Sequence, residues 1–265
     1  MINIIAKKNG RIYFWEEWAL FWEKVQHHQY SLKDFGKAGK HPSVVKVFYH
    51  GRVLKGLTKT IRYKSHASLA LKIYPQSSLN HVIGLTFLAN EILAKVKGNL
   101  KPAMDKELLL KAMIIHNVPK GLGLRDVPYK KKSVEHDIEE YRAFKKFIAE
   151  FLTPAEAKEV EKIYLLQFCY RDISQDWPVK ARLMMAELRS QHWQEIVWFR
   201  FIEHLDYLFY GVQQSVHYKV KELIAKMAKE QVPIIDDLKK VEPNIGLIWT
   251  PAARQYFYSF IEPKN

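Results

Sequence analysis

One apolar run constrains this chain more than any other. Leu108 to Asp126, LLLKAMIIHNVPKGLGLRD, predicts a helix that ends on His116-Asn117 and breaks at Pro119, Gly121 and Gly123. Leu108, Leu109, Ala112, Met113 and Ile115 put apolar side chains on most faces of that helix, so it has to be buried among other elements. Its polar end is then inside the protein, where an imidazole and an amide need hydrogen bonds or a bound metal ion. A core histidine satisfied by a neighbouring carbonyl meets that need as well as a metal ligand does. With 265 residues, 48% of them hydrophobic, the chain can surround such a helix in one large domain, or in a main domain with a small appendage.

The pattern from Ser77 onward is helical almost throughout. Ser77-Ser78 caps a helix through SLNHVIGLTFLANEILAKV to Gly98, and Asp105 caps the central helix. Ser133–Phe151 carries an apolar stripe at Val134, Ile138, Tyr141, Phe144 and Ile148. Thr153-Pro154 opens the next helix, to about Tyr170, and Asp176-Trp177-Pro178 opens a long helical region through Val216. Shorter helices are expected at Tyr218–Lys229 and Trp249–Ile261.

The first sixty residues read differently. Ile2–Ile5 and Arg11–Trp15 flank an Asn-Gly hairpin signal, and Val44–Tyr49 and Val53–Leu57 around His50-Gly51 predict a second hairpin. Between them, Trp15, Trp18, Trp22 and Val25 recur at helical spacing, and Ser31–Pro42 reads as a loop. The expected fold is therefore mainly all-α: an N-terminal α+β extension over 1–60, a helical domain over 61–232 and a C-terminal extension over 233–265.

Charge and cysteine content narrow the partners. Lys+Arg 42 against Asp+Glu 28 gives a net charge of +14, which favours nucleotides, nucleic acid or an anionic membrane surface. Cys169 is the single cysteine, so an internal disulfide and a thiolate zinc site are excluded, which suits a reducing cytoplasm. No run approaches the roughly eighteen apolar residues of a membrane span, and the first residues lack the pattern of a signal peptide. A soluble, cytoplasmic protein is expected.

Polar residues on the apolar helices mark a candidate centre. His81 lies in the first turn of one, His116 and Asn117 end another, and Asp206 sits in the aromatic stretch VWFRFIEHLDYLFYG. Two imidazoles and a carboxylate suit a divalent ion with open positions for water and substrate, and Asn117 adds a carbonyl oxygen. Asp206 could equally be a core carboxylate paired to Arg200 or His204. His136-Asp137 is a competing pair, with a solvated helix face as its plain alternative, and Asp126 reads equally as an ordinary turn aspartate. Lys120, Arg125, Lys130, Lys131 and Lys132 surround the loop after the central helix, where they hold a phosphate or are merely solvated.

The order of these pieces resembles the HD superfamily of metal-dependent phosphohydrolases, especially its bacterial 5′-deoxynucleotidase-like branch. Ser77-Ser78-Leu79-Asn80-His81, then LLKAMIIHN, then Arg125-Asp126-Val127-Pro128, then RFIEHLDYLFYG follow that branch's order of motifs between about Ile61 and Val216. The resemblance implies an HD-type helical domain that binds one divalent ion (Mn, Co, Mg, Zn or Fe) through His81, His116, Asn117 and Asp206. It implies that Arg62 and Asp126 serve catalysis; the clustering of loop cations, and not the resemblance, sets Lys120, Arg125 and Lys130 toward the substrate phosphate. A homodimer is plausible for the family. Two departures stand out: Asn117 replaces the aspartate of the His-Asp motif, and Lys120 stands where the branch often has a catalytic glutamate. The expected function is hydrolysis of a nucleotide phosphate ester, weakened by Asn117; the alternative is a degenerate HD domain that binds nucleotide or nucleic acid without catalysis.

Overall fold

The computed structural model describes residues 7–8, 11–12, 32–62, 76–96, 100, 104–125, 127 and 131–261. The fold is mainly helical. Among the described residues three short helices come first: α1 (Gly36–Lys40), α2 (Pro42–Phe48) and α3 (Gly51–Lys59). They are followed by α4 (Ser78–Val96), α5 (Lys106–Ile115) and the single turn α6 (Val118–Gly121). Next come α7 (Val134–Ala149), α8 (Pro154–Leu165), α9 (Val179–Gln191), α10 (Trp193–Tyr218), α11 (Lys221–Val241) and α12 (Pro251–Tyr258).

Local chemistry sets most of these boundaries. The Asp105 side chain accepts from Leu108 N–H at the start of α5, and Thr153 and Glu156 form a reciprocal capping box at the start of α8, with Pro154 in its first turn. At the other end of α10, Lys219 turns left-handed (φ 59°) and lets the chain reverse into α11. That long helical hairpin has the most extensive packing in the molecule.

The centre is made by α4, α5 and α10, which pack on one another pairwise. Leu109, Ala112, Met113, Ile114 and Ile115 of α5 are all buried, as are Val82, Leu85, Leu88 and Ile92 of α4 and Trp198, Phe201, Ile202 and Leu205 of α10. The central apolar helix expected from Leu108–Ile115 is therefore surrounded, and these three helices carry His81, His116 and Asp206. An isolated antiparallel bridge joins Ile61 to Ser77, with Arg62 N–H donating to Gln76 C=O and Ser78 N–H to Thr60 C=O. It pins Arg62 against the start of α4.

Several expected elements differ. The hairpin expected over Val44–Leu57 is instead two helices, α2 and α3. Val44, Val47 and Phe48 share one helical face and Val53 and Leu57 another, and all five are buried. Pro42 in the first turn and the His50 side chain, which accepts from Arg52 N–H at 3.3 Å, start those helices. Tertiary burial overrode the β preference of the valines. The expected loop over 31–42 also contains helical turns at Leu32–Phe35 and α1.

Leu32, Phe35 and the apolar residues of α2 and α3 belong to the same buried cluster as α4, α5 and α10, so packing is continuous across residue 60. At the other boundary, α11 runs straight through 232–233 with Pro233 inside it. The region over 176–216 is two helices, broken at His192. Two-residue strands Lys7–Lys8 and Arg11–Ile12 pair antiparallel. The aromatic helix expected over Trp15–Val25 lies outside the described residues. Among the described residues no helix is long and apolar enough to cross a membrane.

Candidate functional site

His81, His116 and Asp206 meet where α4, α5 and α10 converge. All three are buried, at 1%, 4% and 0% exposure, and Asn117 beside them is buried at 2%. His81 Nδ1 lies 2.8 Å from Asp206 Oδ2, and His81 Nε2 lies 3.2 Å from His116 Nε2. His116 Nδ1 lies 2.6 Å from the Met113 carbonyl. The alternative pairing of Asp206 with Arg200 or His204 does not occur: Arg200 binds Glu203 at 2.7 Å, and His204 binds Gln231 at 2.6 Å.

These distances settle the proton inventory of the chain of contacts. A carbonyl only accepts, so His116 Nδ1 carries hydrogen and its Nε2 presents a lone pair. His81 Nε2 must then donate to His116, its Nδ1 accepts, and Asp206 is the acid that donates. The electrostatics agree: burial raises the Asp206 carboxyl to about 7, although Arg62 opposes the shift. Burial likewise lowers His116 to about 3, aided by Lys120 and Arg62, and lowers His81 well below the usual imidazole value, aided by Arg62, His116 and Lys120. The pair is neutral, with a neutral acid behind it.

His116 and Asp206 sit on opposite ring nitrogens of His81, so the three tips form a chain and not a ring. For that reason no group of three His, Cys, Asp or Glu among the described residues is arranged to hold an ion jointly. Within this group of four residues, Asp206 Oδ1 and Asn117 Nδ2 are buried without a hydrogen-bond partner.

A cleft of about 50 Å³ shares Tyr207 with the surroundings of this pair, and none of His81, His116, Asn117 and Asp206 lines it. Lys120, Lys132, Arg171 and Arg200 line it with Asp137 and Glu203, and Phe168 and Tyr207 give it aromatic walls. Tyr207 belongs to both places: its ring stacks at 6.4 Å on His81, and the Arg62 guanidinium lies 5.1 Å from its centroid. Lys132 pairs with Asp137 at 3.0 Å and Glu140 at 2.8 Å. Burial raises the Glu203 carboxyl, but the neighbouring positive groups together, Arg200 foremost with Lys132 among the rest, outweigh this and lower it to about 2, so it is ionised.

The expected site residues therefore separate. His81, His116 and Asp206 come together, Arg62 is buried against Tyr207, and Lys120 lines the cleft. Arg125 is exposed and not on the cleft wall. Asp126 and Lys130 lie outside the described residues. His136 caps α7, its Nδ1 accepting from Ser133 N–H, while Asp137 is buried in the cleft wall and not on a solvated face. Sequence reasoning missed Glu203, Tyr207, Arg171 and the cleft position of Arg200. A signal existed for two of them: Arg200, Glu203 and Asp206 recur every three residues, one polar stripe on an aromatic helix.

Comparison with known proteins adds no relative: no family model, no curated protein and no solved structure matches the chain.

Proposed function

We infer that the chain is a divalent-metal-dependent phosphohydrolase of HD type that acts on a nucleotide phosphate ester. The observation that carries this is the buried approach of two imidazole Nε2 atoms at 3.2 Å, backed by a carboxylate. Two metal–nitrogen bonds of ~2.0–2.1 Å meeting at roughly 100° end on nitrogens about 3.1 Å apart. With an ion bound there, the His81 Nε2 proton would go to solvent while Asp206 passes its own proton to His81 Nδ1, which would leave both Nε2 lone pairs facing one point. His81, His116 and the Asn117 carbonyl oxygen would hold the ion there. Asp206 would orient His81 and offer its unpartnered Oδ1. Bound there, a divalent ion supplies a water of near-neutral pKa and polarises a phosphoryl oxygen. Arg62 and Lys120 balance developing negative charge, and Asp126 orients water or the leaving group. Two deficits stand against the fit of these residues to such an ion: the missing charge at Asn117, and Asp206 on the far nitrogen of His81, away from the point the two Nε2 atoms share.

A second function, nucleotide binding without chemistry, is favoured by Asn117 and Lys120, which stand where the HD resemblance calls for carboxylates.

The test is phosphate release from a panel of nucleoside monophosphates with Mn²⁺, Co²⁺ or Mg²⁺, alongside direct Co²⁺ titration, for the natural chain, Asn117→Asp and His116→Gln. Slow hydrolysis is expected in the natural chain, with metal affinity raised about 10–100-fold by Asn117→Asp and lost in His116→Gln. Activity appearing only in Asn117→Asp would identify a disabled centre. Absence of both metal binding and hydrolysis in the natural chain and Asn117→Asp would sink the hydrolase and leave the binding module.

A further inference from the structure

We propose that the cleft beside the histidine pair is a binding site for the phosphate of a phosphomonoester, with Arg171 at its rim and Lys132 and Arg200 in its wall. The inference deepens the phosphohydrolase function by naming the substrate's anionic end, and rests on that function only for what happens after binding.

The cations reach the cleft from separate parts of the chain. Lys120 comes from α6, Lys132 from the residues before α7, Arg171 from the segment after α8, and Arg200 from α10. Four cations thus face the two carboxylates of the wall, Asp137 and Glu203, and Glu140 behind Lys132 is a third. The excess is positive, and Arg62 beside Tyr207 adds to it. Gathering like charges round a partly enclosed space is costly where water is scarce, and an entering anion offsets that cost.

The contacts differ in tightness. Lys132 and Arg200 hold their carboxylates at 2.7–3.0 Å and are committed to the fold. Arg171 stands 3.7 Å from Asp137, beyond hydrogen-bond length, and its side chain is 38% exposed. Its guanidinium stands at the rim of the cleft, and a guanidinium engages phosphate oxygens in pairs. The cleft's volume of about 50 Å³ admits a group the size of a phosphate. Tyr207 lines the cleft and stacks on His81, which links such a phosphate to the histidine pair through one ring.

The test is calorimetric titration of the full chain, with a chelator present to exclude metals, using inorganic phosphate, deoxyadenosine monophosphate and deoxyadenosine. Saturable binding of the monophosphate is expected, with none for the nucleoside. Arg171→Gln should weaken binding about tenfold, Arg171→Lys less, and Arg125→Gln not at all. Asp137→Asn removes a negative charge from the wall and should tighten binding, a gain that misfolding cannot imitate.

Equal affinity for nucleoside and monophosphate, binding of inorganic phosphate alone, or indifference to Arg171→Gln would each overturn the proposal. So would an oligonucleotide binding where the monophosphate does not. The two inferences fail separately. Arg171-dependent phosphate binding without metal binding or hydrolysis keeps the cleft and removes the hydrolase. Metal-dependent hydrolysis indifferent to Arg171→Gln does the reverse.

Discussion

Asp206, His81 and His116 bind one another in a single line that ends on the Met113 carbonyl, and every member differs from its unfolded self in proton affinity. This links stability to pH. His116, lowered to about 3, and His204, lowered to about 4, stay neutral in the folded chain where unfolded histidines, at 6.5, take up protons. Their contribution is present above 6.5 and is lost as pH falls toward those lowered values. His81 acts in the same direction. Asp206 has the opposite sign: folded, it keeps its proton up to about 7, whereas unfolded it releases it near 3.8. Its contribution is full below 3.8 and is lost as pH rises through 7. Three groups outweigh one, so the urea midpoint should rise between about pH 4.5 and 6.5 and level off above. A flat or falling midpoint there would mean that the buried histidines are charged in the folded chain.

Among the elements, the placement of α5's polar end depends on how closely α3 meets α6. A Cβ at Gly56 would stand 1.7 Å from the Gly121 carbonyl oxygen, backbone against backbone, with nothing flexible to yield. Gly56→Ala must therefore push α3 from α6, which begins immediately after Asn117. The expected loss is about 1–3 kcal/mol or more in urea unfolding, with looser metal or phosphate binding besides. Gly51, at the start of the same helix, has no atom within 4 Å of its would-be Cβ and no positive φ. Gly51→Ala should stay within about 0.5 kcal/mol of the natural chain. Equal effects of the two substitutions would refute close helix packing as the reason for Gly56. The same elements show why a hairpin was expected there: Val44, Val45, Val47 and Val53 are strand formers in isolation, and only the partners of α2 and α3 make a helical face worth burying.

Across the whole molecule, the net charge of +14 works against compactness. Surface ion pairs such as Lys46–Glu156, Arg52–Glu150 and Lys162–Glu187 oppose it, but exposed pairs contribute only about 0–1 kcal/mol each. Adding NaCl from about 0.02 to 0.2 M screens charges more than roughly 10 Å apart and relieves the repulsion more than it weakens the pairs. The thermal midpoint should rise over that range; a fall would mean that the ion pairs dominate.

The sequence by itself determined the helical class, the starts of α5 and α8 at Asp105 and Thr153, and the burial of Leu109–Ile115 with a polar end. Each of these follows from spacing or capping within one stretch of chain, which local physics decides. It also singled out His81, His116 and Asp206, because a polar group on an apolar helix is visible without knowing its partner. The tertiary structure alone decided that Asp206 takes the far nitrogen of His81, that Asp137 faces inward, and that Lys132, Arg171 and Arg200 share a cleft with Glu203. Those facts rest on packing between residues tens to more than a hundred positions apart, and no periodicity along the chain records which helix faces which.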